Sequence, residues 1–349
     1  MKNLHLAKVL HMVKQPHYAD GVFDLDVMMS SLEAGKLKGT VKSNIKNGLL
    51  DSKYITKMQK FKTQMPRTTF TLATTTELNA DIADTKVNLN SSLAKLDIKQ
   101  ARVNLKDGSI VSDYTTTIKD LDKLYFVVER HLKGSFVGTG EFKKKDENTE
   151  VTMHSDIAGG TMDVKMYNED LKADLKSIQT IDALTMLLYP PIFKSSLNGT
   201  LKYNTTAKKG DFRGSLVDGK FEQNTAFSLM KQYAKIDMYK ENFKGDVTAD
   251  INKEIVLASF DLLSNTSSIK TVNTKINSDT NMINSKIDIV ANKHPLSVML
   301  TGDKSKPKVT VDTKALMSDQ AAKEISKKLE GKLGKEASEK IGDLLKGFF

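Results

Sequence analysis

A chain of 349 residues, 39% of them hydrophobic, is long enough to bury a large core, and 53 Lys and Arg against 43 Asp and Glu give it a net charge of +10. Cys is absent, which excludes disulfides, thiolate metal ligands and cysteine nucleophiles, and no run approaches the ~18 apolar residues that a membrane-spanning helix needs. The positive balance suits an anionic partner, but the Lys residues are scattered along the chain, and few Arg with no Trp argue against nucleic acid.

In chain order, Leu4, Ala7, Leu10 and Val13 recur at helical spacing and predict a helix over 3–14, stopped by Pro16 and followed by an alternating strand from Val22 to Met28. Lys8, His5 and His11 break the apolar stretch and no small-residue cleavage site follows, so any export signal or anchor is expected outside this chain. The phrase Leu37-Lys38-Gly39-Thr40-Val41 then appears. It recurs at Leu132 to Phe136, Leu197 to Leu201, Phe212 to Leu216 and Phe243 to Val247, each time opening an alternating stretch. A second phrase, Ile45-Lys46-Asn47-Gly48, recurs at Leu105 to Gly108 and Leu216 to Gly219; its Asn-Gly and Asp-Gly pairs predict type I′ hairpin turns.

Tyr54, Ile55, Met58, Phe61 and Met65 predict a helix over 52–65, ended by Pro66, before a Thr-rich strand from Thr68 to Leu78. The apolar phase of Val87, Leu89 and Leu93 shifts through Leu96 and Ile98 and returns at Ala101, Val103 and Leu105, which marks a turn or a bulge. Further helices are expected over 121–130, 180–188 and 225–234, with Pro190 and Pro191 breaking the second of these. The Gly-rich stretch Gly134 to Gly140 and the cluster Lys143-Lys144-Lys145-Asp146-Glu147 both read as hairpins. Alternation continues through Val272 and Ile276, Ile289, Leu296, and Val309 and Val311. The expected body is therefore a repetitive β domain over 1–315.

The remainder, 316–349, changes period. Asp319 can cap an amphipathic helix in which Ile325, Leu329, Leu333, Ile341 and Leu345 recur at multiples of four, ending in Phe348 and Phe349. Four Gly residues in it each cost roughly 1 kcal/mol against Ala, so the helix needs a surface, either the protein's own sheet or a membrane interface.

Converging chemistry is absent from the pattern. The six His residues show no H-E-x-x-H spacing and no triad arrangement, Gly134 to Gly140 fits neither a dinucleotide fingerprint nor a phosphate loop, and carboxylates such as Asp24, Asp26, Asp97 and Asp107 fall where alternation puts solvent-facing residues. No catalytic, metal or cofactor site is expected, and the chain reads as a non-enzyme.

An antiparallel sheet with one apolar face must cover it, and this chain has many strands and few helices. The expected fold is mainly β: an elongated, twisted antiparallel sheet of repeated hairpins, curled into a groove, with short interspersed helices. About twenty strands at ~4.8 Å spacing would make a groove on the order of 100 Å long. The candidate lining is Leu37, Val41, Phe70, Leu72, Val87, Leu89, Val103, Phe136, Leu201, Leu216, Val247, Ile276, Ile287, Val298 and Leu300. Phospholipid acyl chains are the ligand such a floor suits, at about 0.8 kcal/mol per methylene buried.

The closing passage, His294-Pro295-Leu296-Ser297-Val298-Met299-Leu300-Thr301-Gly302 through Lys306-Pro307-Lys308-Val309 to the tail ending Asp343-Leu344-Leu345-Lys346-Gly347-Phe348-Phe349, resembles the C-terminal end of AsmA-like proteins. The recurring Asn-Gly and Asp-Gly phrases and the helix-then-strand passages at Leu121 to Phe136 and Ile181 to Leu201 are similar to that family too. The resemblance implies a bacterial envelope protein of the AsmA and TamB type: inner-membrane-anchored, extending a β-groove through the periplasm, linked to phospholipid transport and outer-membrane assembly, and without catalytic residues. The family's N-terminal membrane helix has no counterpart here, so a part of a longer protein is expected. Two other readings stand beside it. One is a closed β-sandwich or solenoid scaffold without a lipid ligand; the other is an outer-membrane barrel, suggested by the terminal Phe349 and opposed by the helical tail and the absence of aromatic girdles.

Overall fold

The computed structural model describes residues 1–33, 35–189, 191–223, 228, 231, 237–291, 294–304 and 307–312. The tail 316–349 lies outside the described residues, as does the helix expected over 225–234 apart from Ser228 and Lys231. The fold is mainly β, an antiparallel sheet not closed into a barrel, with a few short helices. The chain divides into two compact units, Met1–Asp156 with Asp163–Asn168, and Ile157–Met162 with the residues from Glu169 onward.

In the first unit, β1 (Leu4–His5) leads into α1 (Leu6–Met12), then β2 (Ala19–Ser31), β3 (Lys38–Leu50), α2 (Ser52–Met58), β4 (Thr69–Asn79), β5 (Ile82–Ser91), β6 (Lys95–Asn104) and β7 (Ile110–Ile118). A 3-10 turn, Leu121–Leu124, runs into α3 (Tyr125–Val128), followed by β8 (Phe136–Lys145) and β9 (Asn148–Ile157). Each strand pairs antiparallel with the next, a meander whose side-chain rows cross the strands and are offset at bulges. Strand β10 (Gly160–Tyr167) has residues in both units.

The second unit repeats the plan with β11 (Asp170–Gln179), α4 (Thr180–Met186), β12 (Phe193–Asn204), β13 (Lys209–Phe221), β14 (Phe243–Asn252), β15 (Ile255–Leu263), β16 (Ser268–Asn277), β17 (Met282–Ala291), β18 (His294–Asp303) and β19 (Lys308–Asp312). Again every registered pairing joins chain neighbours.

The helices at 3–14, 52–65, 121–130 and 180–188 exist but are shorter than their apolar stripes. In α1, α2 and α4 the same device stops them: Lys14, Lys60 and Leu188 take φ of 55°, 56° and 59°. The next N–H then donates five residues back, Gln15 to Leu10 at 2.8 Å, Phe61 to Thr56 at 3.0 Å and Tyr189 to Leu184 at 2.8 Å. Phe61, expected on the α2 stripe, is thereby released to pack edge-on against Phe126 at 5.2 Å.

Two of the three expected Asn-Gly and Asp-Gly turns are not turns. Leu105 to Gly108 does reverse the chain between β6 and β7, with Gly108 at φ 69°. Asn47-Gly48 and Asp218-Gly219 instead lie inside β3 and β13 as bulges, where the register slips between Ile45 and Gly48 and between Leu216 and Gly219. Asn47 at φ 50° and Asp218 at φ 57° are the inserted residues. The glycine after each lies beneath an aromatic ring: a Cβ on Gly48 would come within 2.6 Å of Phe70 Cε1, and one on Gly219 within 2.5 Å of Phe193 Cζ. The same left-handed insertion occurs at Ser177 in β11 and Asn273 in β16. Gly134 to Gly140 is likewise no hairpin, since Gly138 and Gly140 sit inside β8; the Lys143 to Glu147 hairpin is present, turning at Asp146.

Candidate functional site

The pleat sends alternate side chains to opposite faces, so register alone sorts the candidate residues. In the first unit the cross-strand rows Ile45–Leu72–Leu89–Leu96 and Val41–Thr76–Thr85–Ala101 lie on one face. The row Leu78–Ala83–Val103–Ile110 joins them. Val41, Phe70, Leu72, Val87, Leu89, Val103 and Phe136 all fall on this face, and Leu37 precedes β3 with the same parity. In the second unit the rows Leu201–Phe212–Ala249–Ala258, Leu216–Gly245–Leu262–Ile269 and Thr271–Ile287–Val298 form the corresponding face. Leu201, Leu216, Val247, Ile276, Ile287, Val298 and Leu300 belong to it. Alternation plus bulges thus brings the candidates of each unit together on a single face.

The two faces differ in how far they are sealed. In the first unit every candidate is half-buried, and from β4 to β8 the only fully buried members of the face are the small residues Ala83, Ser112 and Gly138. Its buried cluster sits at one end, where Leu6 and Leu10 of α1 cover Ala19 and Ile45, with Phe23, Leu50, Phe70 and Leu72 beside them. Within the open stretch, hydroxyls are matched across strands, Ser43 with Thr74 at 2.7 Å and Thr76 with Thr85 at 2.9 Å. In each pair one hydroxyl donates to the other, which lowers the polarity of these rows without making them apolar.

In the second unit part of the face is a core, while Leu201, Val247 and Ile276 stay half-buried like the candidates of the first unit. Ile287 is 0% exposed, Leu300 1%, Val298 4% and Leu216 8%, in one cluster with Phe193, Phe221, Met238, Phe243, Phe260, Leu262 and Ile269. These four candidates, expected to line an open groove, are instead packed among aromatic rings, Phe193 on Phe221 at 4.9 Å and Phe221 on Phe243 at 5.4 Å. A hydroxyl trio is sealed with them, Thr274 bonded to Thr271 at 2.8 Å and to Ser285 at 2.6 Å.

Sequence reasoning missed Ile45, Leu96 and Ile110 on the first face and Phe212, Phe260 and Leu262 on the second. The signal was the parity flip at Asn47, Ser177, Asp218 and Asn273, readable only once those residues are known to be inserted into strands.

The opposite faces are polar and carry paired charges. Arg102 donates to both oxygens of Asp84 at 3.0 and 3.3 Å and, with Gln100, holds that carboxyl below its ordinary range. Asp24 is lowered by the Asn3 N–H and by Lys46. A recess of about 420 Å³ in the first unit is lined by residues of both parities, Lys86, Asn88, Asp97 and Lys99 together with Thr74, Val87 and Ile98 among them, and Asp97 is held by Asn88 and by Lys95 at 2.8 Å. His154 bonds Asp163 and His131 bonds Asp122, each at 2.6 Å, at exposed positions. Among the described residues no cluster of metal-ligating side chains occurs, and no helix is long and apolar enough to cross a membrane.

Comparison of the chain with family models, with curated proteins and with solved structures finds no match.

Proposed function

We propose that the chain is a non-enzymatic lipid-binding protein that holds phospholipid acyl chains on the apolar face of its first unit. One observation carries the reading: a predominantly apolar face across β3 to β8 whose large side chains, Leu72, Val87, Leu89, Ile98 and Val103 among them, are half-buried. A face of that kind lowers its free energy by receiving an apolar ligand, at about 25 cal/mol per Å² covered. Continuity matters more than any single contact, in keeping with the absence of unpaired buried polar side-chain atoms among the described residues. The resemblance of the closing passage to AsmA-like proteins supports a periplasmic, membrane-associated role in phospholipid transport toward the outer membrane.

The test is chemical. Protein purified without detergent is examined by native mass spectrometry, and a benzophenone side chain is introduced at Leu89 or at Val298. The reading expects co-purified phospholipid and crosslinks from position 89, with none from the sealed position 298. Delipidated protein that takes up no phospholipid would remove the proposal.

A specific observation favours a second reading for the second unit alone. The closed cluster around Ile287 and Phe243 suits a scaffold that holds no ligand, and it expects inert labels at the positions of that cluster.

A further inference from the structure

The first unit has two chemically opposite ends. Its pairings Ala19–Leu50, Leu49–Thr69, Phe70–Ser91, Lys95–Thr117 and Ile118–Phe136 put the three helical segments, residues 6–18, 51–67 and 119–133, at one end of the strands. Those segments carry eleven Lys or Arg against four acidic residues, and ten of the eleven are exposed. The opposite end, made of residues 32–37, 80–81, 105–109 and 146–147, carries two basic and five acidic residues. Most of the chain's +10 charge is therefore concentrated where α1, α2 and α3 gather.

Large apolar side chains stand exposed among these cations. Met12 is 79% exposed, Val13 59%, Met58 53% and Val127 51%, with Val128 next to it. The segments of α2 and α3 are tied to each other, Phe61 packing on Phe126 and Lys62 donating to Glu129 at 3.0 Å, and α1 is held to the sheet through Leu6 and Leu10. Isolated exposed apolar residues need no explanation, but five on the tips of three helices ringed by lysines form a surface with two chemistries at once.

We propose that this basic end docks on an anionic bilayer surface. Lysines near such a surface each contribute attraction, and side chains of the size of Met and Val can enter the headgroup boundary beside them. A nucleic acid would use the cations but leave the protruding Met and Val side chains without a partner. This inference is independent of whether the apolar sheet face holds lipid.

The experiment is flotation of the full chain with vesicles of phosphatidylcholine alone or with 30% phosphatidylglycerol, at low and at ~0.5 M salt. The proposal expects binding to the anionic vesicles that salt suppresses. The combined variant K53Q/K57Q/K60Q should lose about a hundredfold in partitioning, at roughly fivefold per lysine. V127N/V128N should also weaken binding, whereas K42Q/K86Q/K99Q on the polar sheet face should bind as the unsubstituted chain does. Circular dichroism melts on all three confirm folding, and the salt series on the unsubstituted chain needs no variant. Equal binding to neutral vesicles, binding unaffected by the α2 substitutions, or binding to single-stranded nucleic acid without binding to vesicles would each overturn it. Lipid bound inside the protein is read separately by mass spectrometry, so either idea can fail alone.

Discussion

Two truncations to alanine, one on each apolar face, separate an open floor from a closed core. Ile287 is fully buried, set between Thr271 and Val298 in register, and Ile287→Ala removes three carbons from a packed cluster. The transfer loss is about 2.4 kcal/mol at 0.8 per carbon, and the cavity left among Phe243, Phe260 and Leu300 raises the expected cost to ~4 kcal/mol. Leu89 is half-buried, with Leu72 and Leu96 as its cross-strand partners. Leu89→Ala gives up about half the transfer term and leaves a dent rather than a cavity, so ~1 kcal/mol is expected. Because the units are separate compact bodies, a single global transition is the wrong readout. Hydrogen exchange of peptides from β5 and β17, followed through a urea series on delipidated protein, reads each unit by itself. Lipid must be absent, since a ligand on the first face would stabilise that unit by mass action. A Leu89→Ala cost as large as that of Ile287→Ala would refute the contrast and, with it, the open face on which the lipid reading depends.

Two further outcomes follow from local geometry. Gly219→Ala should destabilise the second unit by ~1–3 kcal/mol, read by hydrogen exchange of peptides from β13, because the new methyl meets Phe193 Cζ at 2.5 Å and the Phe243 carbonyl oxygen at 2.8 Å, and a backbone atom cannot swing aside; unchanged exchange would mean that the bulge does not hold the ring in place. Asp84, lowered chiefly by Arg102, should titrate below an ordinary aspartate by NMR and shift back upward in Arg102→Gln. Its folded value lies below its unfolded one, so its stabilising contribution is complete above the unfolded pKa and is lost as pH falls through the folded one; a carboxyl shift that does not move in the variant would remove the assignment.

Much of the first unit could be read directly. Leu72, Leu89 and Val103 fell on the expected face because alternation along a strand has only two outcomes, and the helix positions followed from apolar stripes bounded by Pro16, Pro66 and Pro190. Boundaries were harder. Nothing in Lys14, Lys60 or Leu188 signals a left-handed residue as glycine would, so the apolar stripes run several residues beyond the helices themselves. The charge asymmetry between the two ends of the strands was invisible too: scattered lysines become a patch only when the pairing gathers residues more than a hundred positions apart.

The sequence by itself determined the class of structure, a sheet with one greasy side built from neighbouring hairpins, because a two-residue period is a property of the extended backbone and needs no distant partner. Tertiary structure decided the rest. The same Asn-Gly or Asp-Gly dipeptide is a turn when the flanking segments pair with each other and a bulge when both pair with a third strand, as Asp107-Gly108 and Asn47-Gly48 show. Whether an apolar row is floor or core likewise depends on what arrives to cover it. Ile287 and Leu89 sit in equally regular strands; one is enclosed by aromatic side chains from other segments and the other lies half open.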